Sequence, residues 1–482
     1  MRSITPEAAG ISSTAVLDFL KALEAYQFNT HSILMARGDG IFAECYYAPF
    51  TADRLHRMYS ISKSFTGIAI GLCIEDGLLS LDDKLADFFP EYDAADPWIA
   101  GTTIRGALTM RTCMSSYTQW RGMPHRADAW FATKPSHPSG MEFWYDSSAS
   151  YLLGVIVKRL TGKDFFTFLR ERVLDKIGFS ADSHVMHVTD GNAHADSGVM
   201  CTPRDLLKFA RFVMNSGVWK GERLMNGDYL AAATSRQTDN SDGNVLNYNN
   251  HGYGYQIWKT PDDGFAFYGM GDQFAICDRA HDFIFVITSD NQGSSGSRPI
   301  LFELLYSRII RCLGKPLPDN PAAQTALADY IAGAKLNAAR GTACSPIADS
   351  VNGVDWRCGK NPMGIERFRL DFDGDGGSIT YTNRTGTHTL RFGFGYNICQ
   401  PFPDSGDSGV REAAARLTLD SAVSAAWVDD RKLRIKVQII DRDLGNLAMD
   451  ISFRENNALL HMTKNAVCFL DAYGGTAVAE RV

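Results

Sequence analysis

The chain has 482 residues, 45% hydrophobic and 21% charged, with a formal charge of −7 and a pI near 5.9. That is a soluble globular composition, too long for one ordinary core, so two domains are expected, one of them large. The acidic balance argues against a nucleic-acid or anionic-membrane partner, and no run reaches 18 apolar residues, so no membrane span is expected.

Residues 12–27 carry the spacing of an amphipathic helix (Val16, Leu17, Phe19, Leu20, Leu23), capped by Ser12 or Ser13. HSILMARGDGIFAECYY follows, two apolar runs hinged on Gly38-Asp39-Gly40, a β-hairpin pattern. MYSISKSFTGIAIGLC (58–73) is apolar and rich in small residues, as suits a helix buried on nearly every side. LLSLDDKLADFFPEY reads as helical with a proline stop, and TTIRGALTM as a short helix. Residues 111–144 are irregular and aromatic-rich, with prolines at 124, 135 and 138, the character of a binding loop. SYLLGVIVKRLTGKDFFTFLRERVL predicts two helices separated by Thr161-Gly162-Lys163. TPRDLLKFARFVMNSG predicts a third, with Thr202 as cap, Pro203 at its first position and Gly217 past its end. Residues 252–290 alternate apolar runs with glycines and read as successive antiparallel strands, followed by the helix RPILFELLYSRIIRCLG. The proline-bearing KPLPDNPAAQ (315–324) is the expected linker between a domain at 1–314 and one at 325–482. The latter opens with a helix and continues as short alternating strands, a small antiparallel barrel or sandwich.

Within the apolar helix, Ser60 and Lys63 lie one turn apart on one face. A cation is costly in a core helix unless it has a partner or a task, and an amine that loses its proton can take one from a neighbouring hydroxyl. The competing reading is plain: Ser-x-x-Lys arises by chance about once or twice in a chain this long. Ser60 would then be an ordinary N-cap and Lys63 a snorkelling surface residue. Ser/Lys chemistry further needs a proton relay, an oxyanion hole and a strand edge for the substrate. Tyr145, in WYDSSASYLLG just before a helix, is the candidate relay; a core tyrosine is its alternative.

These residues resemble the serine hydrolases that share the fold of class C β-lactamases and penicillin-binding proteins. The resemblance spans roughly residues 4–312: ITPEAAGIS, SISKSFTGIAIG, EDGLLSLDDKLADFFPEY, WYDSSASYLLGVIVKRLTGK, SGVMCTPRDLLKFARFVMNSG, GYGYQIW and GMGDQ. It implies an antiparallel sheet flanked by helices, with an all-helical subdomain. It makes Ser60 the nucleophile, Lys63 the group that helps deprotonate it, and Tyr145 the tyrosine that passes the proton to the leaving group. The third family motif falls on Gly269-Met270-Gly271, where glycines let a strand approach the substrate, and Asp272 N–H would join Ser60 N–H in the oxyanion hole. Arg384-Thr385-Gly386 mimics that motif but lies among the C-terminal strands.

Two departures bear on substrate. The family's Tyr-x-Asn reads Tyr145-Asp146-Ser147, and Gly269 replaces the cation that would meet a β-lactam carboxylate. Both lean toward the branch that cleaves simple esters or amides through an acyl-enzyme. Behind it stand a D-amino-acid or small-peptide amidase, then a β-lactamase, and outside enzymes a silent ligand-binding member. Trp120 and Trp144 are the candidate apolar walls of the substrate site. The C-terminal part resembles a small β-barrel appended to some of these hydrolases. Its DFDGDGG has a calcium-loop start at Asp371, Asp373 and Asp375, but Thr382 holds the twelfth position, so a hairpin turn is expected. The ten cysteines and eleven histidines show no metal spacing, and neither metal nor cofactor is expected. No signal peptide is visible in MRSITPEAAGISSTAV, so the expected compartment is the cytoplasm.

Overall fold

The structure is a computed structural model. It describes residues 1–116, 125–241, 250–294, 296–403, 419–467 and 469–482. The chain divides into two compact units. The first comprises Met1–Tyr26, Thr30–Ser289 and Gly296–Ala334, and the second Gln27–Asn29, Asp290–Ser295 and Lys335–Val482. The division thus lies later than the proline-rich segment at 315–324. The helix that follows it, Pro321–Ala332, is tied to the first unit through Gln324 to Glu7 and Tyr330 to Glu24.

The first unit is built on a seven-stranded sheet. Its order is Arg2–Ser3, Gly40–Tyr46, Thr30–Arg37, Phe283–Ser289, Gln273–Asp278, Phe265–Gly269 and Trp258–Lys259. Only the outermost pair, Arg2–Ser3 with Gly40–Tyr46, is parallel. The central strands are buried along their whole length, which is why their sequences read as continuous apolar runs. Phe285 meets Phe19 of the helix Ser13–Ala25 edge-on at 5.8 Å, and Phe267 meets Phe209 of the helix Pro203–Met214 at 5.3 Å. The helix Ile61–Glu75 is buried at every position from Ile61 to Cys73. Its small residues allow this: a Cβ on Gly71 would lie 2.3 Å from the Tyr229 ring, and Phe65 stacks on Phe209 at 3.9 Å. The helix Ser147–Thr161 packs alongside it, ending in left-handed Gly162 as the sequence predicts.

Two sequence expectations need correction. LLSLDDKLADFFPEY forms only one short helical turn, Leu85–Phe88, because the Asp83 carboxylate takes the Ser80 N–H and hydroxyl and Leu85 N–H goes to Thr102 O. Within 111–144, Arg126–Ala132 is a regular helix.

In the second unit nine antiparallel strands form a ring, from Gly386–Phe394 round to Leu419–Asp429. It closes through a short parallel pairing of Gly393 with Ser424 and Phe394 with Ala425. Where those two strands part, Ile398–Phe402 lies along Leu419–Asp429, and the Gln400 side chain bonds to both N–H and C=O of Arg391. Leu433, Ile435, Val437 and Ile439 point inward, as do Leu447, Met449, Ile451 and Phe453. The Asp371–Asp375 segment is a hairpin turn: Asp373 pairs with Gly376 across Gly374 and Asp375.

Candidate active site

Ser60 stands at the head of its helix with φ −65° and ψ −8°, and its side chain caps nothing. Lys63 is 1% exposed. The N-cap and snorkelling readings are therefore both excluded. Lys63 Nζ is hydrogen-bonded to Ser60 Oγ at 3.0 Å and donates to the Asp196 carbonyl at 2.8 Å, and it lies 5.1 Å from the centre of the Tyr145 ring. Lys63 thus stands in contact with both Ser60 and Tyr145.

The rest of the helix's polar face is spoken for. Ser62 accepts from Val199 N–H, Thr66 donates to Ala195 O, and Ser64 donates to Gln256 O. Residues 195–199 thus run along the helix and lock its first turns. Tyr59, just before the nucleophile, has φ +47°, and the Arg57 guanidinium lies 4.6 Å over its ring. Left-handed backbone at a bulky residue is strained, and it persists where its surroundings over-determine it.

Tyr145 is aimed by its neighbours. Asp146 caps the helix Ser147–Thr161, accepting from Ser148 and Ala149 N–H, and it also accepts from Trp130 Nε1. Burial raises the Asp146 carboxyl, and these donors counter it. The Tyr145 ring stacks on Trp258 at 5.4 Å. Ser147 is the first residue of the helix and half-buried; Trp144 is half-buried and donates its backbone N–H to Met110 O. Trp120 lies outside the described residues.

The third motif closes the site. A Cβ on Gly269 would stand 2.3 Å from the Met58 carbonyl, so the strand Phe265–Gly269 runs directly against the segment leading into Ser60. Gly271 (φ +80°) and Asp272 (φ +66°) turn the chain back. Ser289 Oγ fixes the turn by donating to Gly271 O and Asp272 O, and Gln273 ties Met270 O to Ser289. The edge strand Trp258–Lys259 covers only Phe265 and Ala266 of its neighbour, so among the described residues Phe267–Gly269 have no strand beyond them.

Several functional neighbours escaped the sequence reading. Arg298 opens the RPILF helix, 3.8 Å over the Tyr268 ring and 3.6 Å from Asp272, whose other oxygen accepts from Ser297 at 2.5 Å. Burial pulls Arg298 down to about 10, with Tyr145 acting in the other direction, so it stays a cation at neutral pH. Asp196 and Arg126 form a buried ion pair behind Lys63.

A family model described as Beta-lactamase matches residues 18–306. The chain belongs to the β-lactamase family. Members of this family are serine hydrolases. Among β-lactamase-family relatives, a 6-aminohexanoate-dimer hydrolase of Paenarthrobacter ureafaciens is 26% identical over 265 residues, 50% of this chain and 67% of that protein. A lovastatin esterase of Penicillium rubens is 28% identical over 169 residues, 29% of this chain and 42% of that protein. A crystal structure of SurE aligns with 97% of this chain and 98% of its own at a TM-score of 0.50 and 16% identity, a likeness of fold that takes in the barrel. No described helix is long and apolar enough to cross a membrane.

Proposed function

We propose that the protein is a carboxylesterase- or amidase-like serine hydrolase acting on a small molecule. The observation that carries this reading is the 3.0 Å contact between the buried Lys63 Nζ and the half-buried Ser60 Oγ. Ser60 Oγ attacks the carbonyl carbon as its proton passes to Lys63. The tetrahedral oxyanion is held by the N–H groups of Ser60 and Asp272. Tyr145 conveys the proton to the departing alcohol or amine, and water then releases the acyl group by the reverse route. The open edge of Phe267–Gly269 offers backbone groups to an extended substrate. No cofactor takes part.

The named relatives include an amide-type dimer hydrolase and an esterase, and both chemistries suit one acyl-enzyme. A second reading, an amidase for D-amino acids or small peptides, is favoured by Arg298. It sets a cation near Tyr145 although Gly269 has none to offer. Hydrolysis of p-nitrophenyl butyrate beside nitrocefin and a D-amino acid amide, with wild type and Ser60→Ala and with intact-mass detection, tests both. Ester or amide turnover that vanishes in Ser60→Ala, with nitrocefin barely cleaved, supports the proposal. Rapid nitrocefin turnover makes the protein a β-lactamase. A chain that neither turns over nor labels with a fluorophosphonate is a ligand-binding member.

A further inference from the structure

The Arg126–Asp196 pair is the one fully buried, two-pronged ion pair among the described residues that stands in contact with a site residue. Arg126 Nη1 and Nη2 reach the two Asp196 oxygens at 2.9 and 3.2 Å, with both side chains at most 6% exposed. Arg126 is itself clamped: its guanidinium lies 4.6 Å over the Tyr151 ring, and its backbone N–H donates to Asp190, which also accepts from Tyr151 OH. The same Asp196 supplies, through its carbonyl, the second acceptor of Lys63 Nζ. Burial alone would raise the Asp196 carboxyl; Arg126, His194 and Lys63 outweigh it and hold the group well below the usual carboxylate range.

We propose that Arg126 and Asp196 are positioning residues for Lys63. They fix the carbonyl that aims the amine at Ser60 and set the balance of charge behind it. The inference rests on the Ser60–Lys63 reading given above. Two features make it more than packing. The pair is bidentate, so it fixes the orientation of residue 196 and hence of its carbonyl. It also places one negative and one positive charge on the buried side of an amine that must lose its proton to act. The other groups facing Lys63 are Ser60 on its own helix, the Tyr145 phenol, and His194, whose Nε2 is 3.5 Å from Asp196. Burial takes the His194 imidazole down to about 3, against the pull of Asp196, so it stays neutral through the working range. Arg57, beside Tyr59, is held at Ser197 O on the same loop. The Asp196 charge acts on Lys63 through space, and Arg126 is paired with it, so the two charges can be removed one at a time.

The consequence has a sign. With Asp196→Asn the negative charge is lost and the guanidinium left unpaired, and the acidic limb of the Ser60 reaction moves to lower pH. With Arg126→Met the positive charge is lost and the carboxylate left unpaired, and the limb moves to higher pH. The readout is the second-order rate of fluorophosphonate labelling of the full chain against pH, followed by intact mass. The expected shifts are about one pH unit in opposite directions, with Asp196→Asn/Arg126→Met returning toward wild type. Equal losses of rate with the limb unmoved, or shifts of the same sign, would overturn the proposal and leave the pair a plain structural strut. Ser60→Ala is run beside them: if it labels like wild type, the nucleophile reading itself fails, a distinct result. Should the charge-removing variants not fold, Arg126→Lys carries the test, since it keeps the charge and loses the fork. It should label several-fold more slowly on an unmoved limb, and a shifted limb or a wild-type rate refutes the proposal.

Discussion

Gly269 and Met58 are pressed together: the strand that carries Gly269 leaves no room for a side chain beside the Met58 carbonyl, two residues before the nucleophile. Gly269→Ala would place a Cβ 2.3 Å from that oxygen, so one of the two segments must move. The expected cost is about 1–3 kcal/mol in stability. The loss of turnover should be larger than that destabilisation explains, because the displaced segment holds Ser60. Gly67→Ala, whose nearest neighbour would be Tyr255 O at 3.0 Å, serves as the milder comparison. Thermal melts and ester kinetics on both variants decide the matter, and equal effects would refute it.

Lys63→Met should separate stability from activity. Methionine fills the lysine's place without a charge to desolvate, so the melting temperature holds or rises by about 2–4 °C per kcal/mol relieved. Turnover should fall by on the order of 10³ or more, as when one member of a catalytic unit is removed. A variant that keeps a tenth of wild-type activity would dismiss Lys63 as the base.

Acid should loosen the first unit through His56. Its Nε2 meets His31 Nδ1 at 2.8 Å and its Nδ1 meets Arg57 O, both rings buried. Burial takes the His56 imidazole down to about 4, with Arg54 acting the same way and the Arg57 carbonyl opposing them. Since the folded value lies below the unfolded one of 6.5, the unfolded chain binds the extra proton between them. Stability is therefore complete above about pH 6.5 and is lost as pH falls toward 4, by ~3 kcal/mol from this group. Urea unfolding across that window should show a slope in His56→Gln reduced by about one proton. An unchanged slope would assign the acid sensitivity elsewhere.

The sequence disclosed most where one physical constraint dominates locally. The Ser60 helix was legible because a lysine among small apolar residues has few explanations, and the barrel strands because alternation has one. The helix expected over LLSLDDKLADFFPEY was not, because Ser80 and Asp83 bond to each other and to the backbone in a way no periodicity records. Arg126 and Asp196 lie 70 residues apart and meet only through the fold, so neither announces the other. Arg298 was in view as the start of a helix, but its partner Asp272 had been read only for its N–H.

The capped helix Pro203–Met214 gives a further measurable pair. Thr202 and Asp205 form a reciprocal capping box, and the Asp205 carboxylate also accepts from Ser180 N–H and the Ser183 hydroxyl. Thr202→Ala should cost about 0.5–2 kcal/mol, the value of one cap. Asp205→Ala should cost more, because it strands buried donors from a second segment. Chemical denaturation of the two variants orders them, and the reverse order would show that the 180–183 loop is held by other means.

The Gln400 amide that bonds both to N–H and to C=O of Arg391 has an implication for behaviour at high concentration. An amide side chain is a peptide group in miniature, and here it occupies the backbone that would otherwise be exposed where the closing strands diverge. Pro401 beside it has no N–H to offer a newcomer. The seam is thereby blunted against recruiting a strand from another molecule, and its chemistry works against edge-to-edge aggregation during refolding.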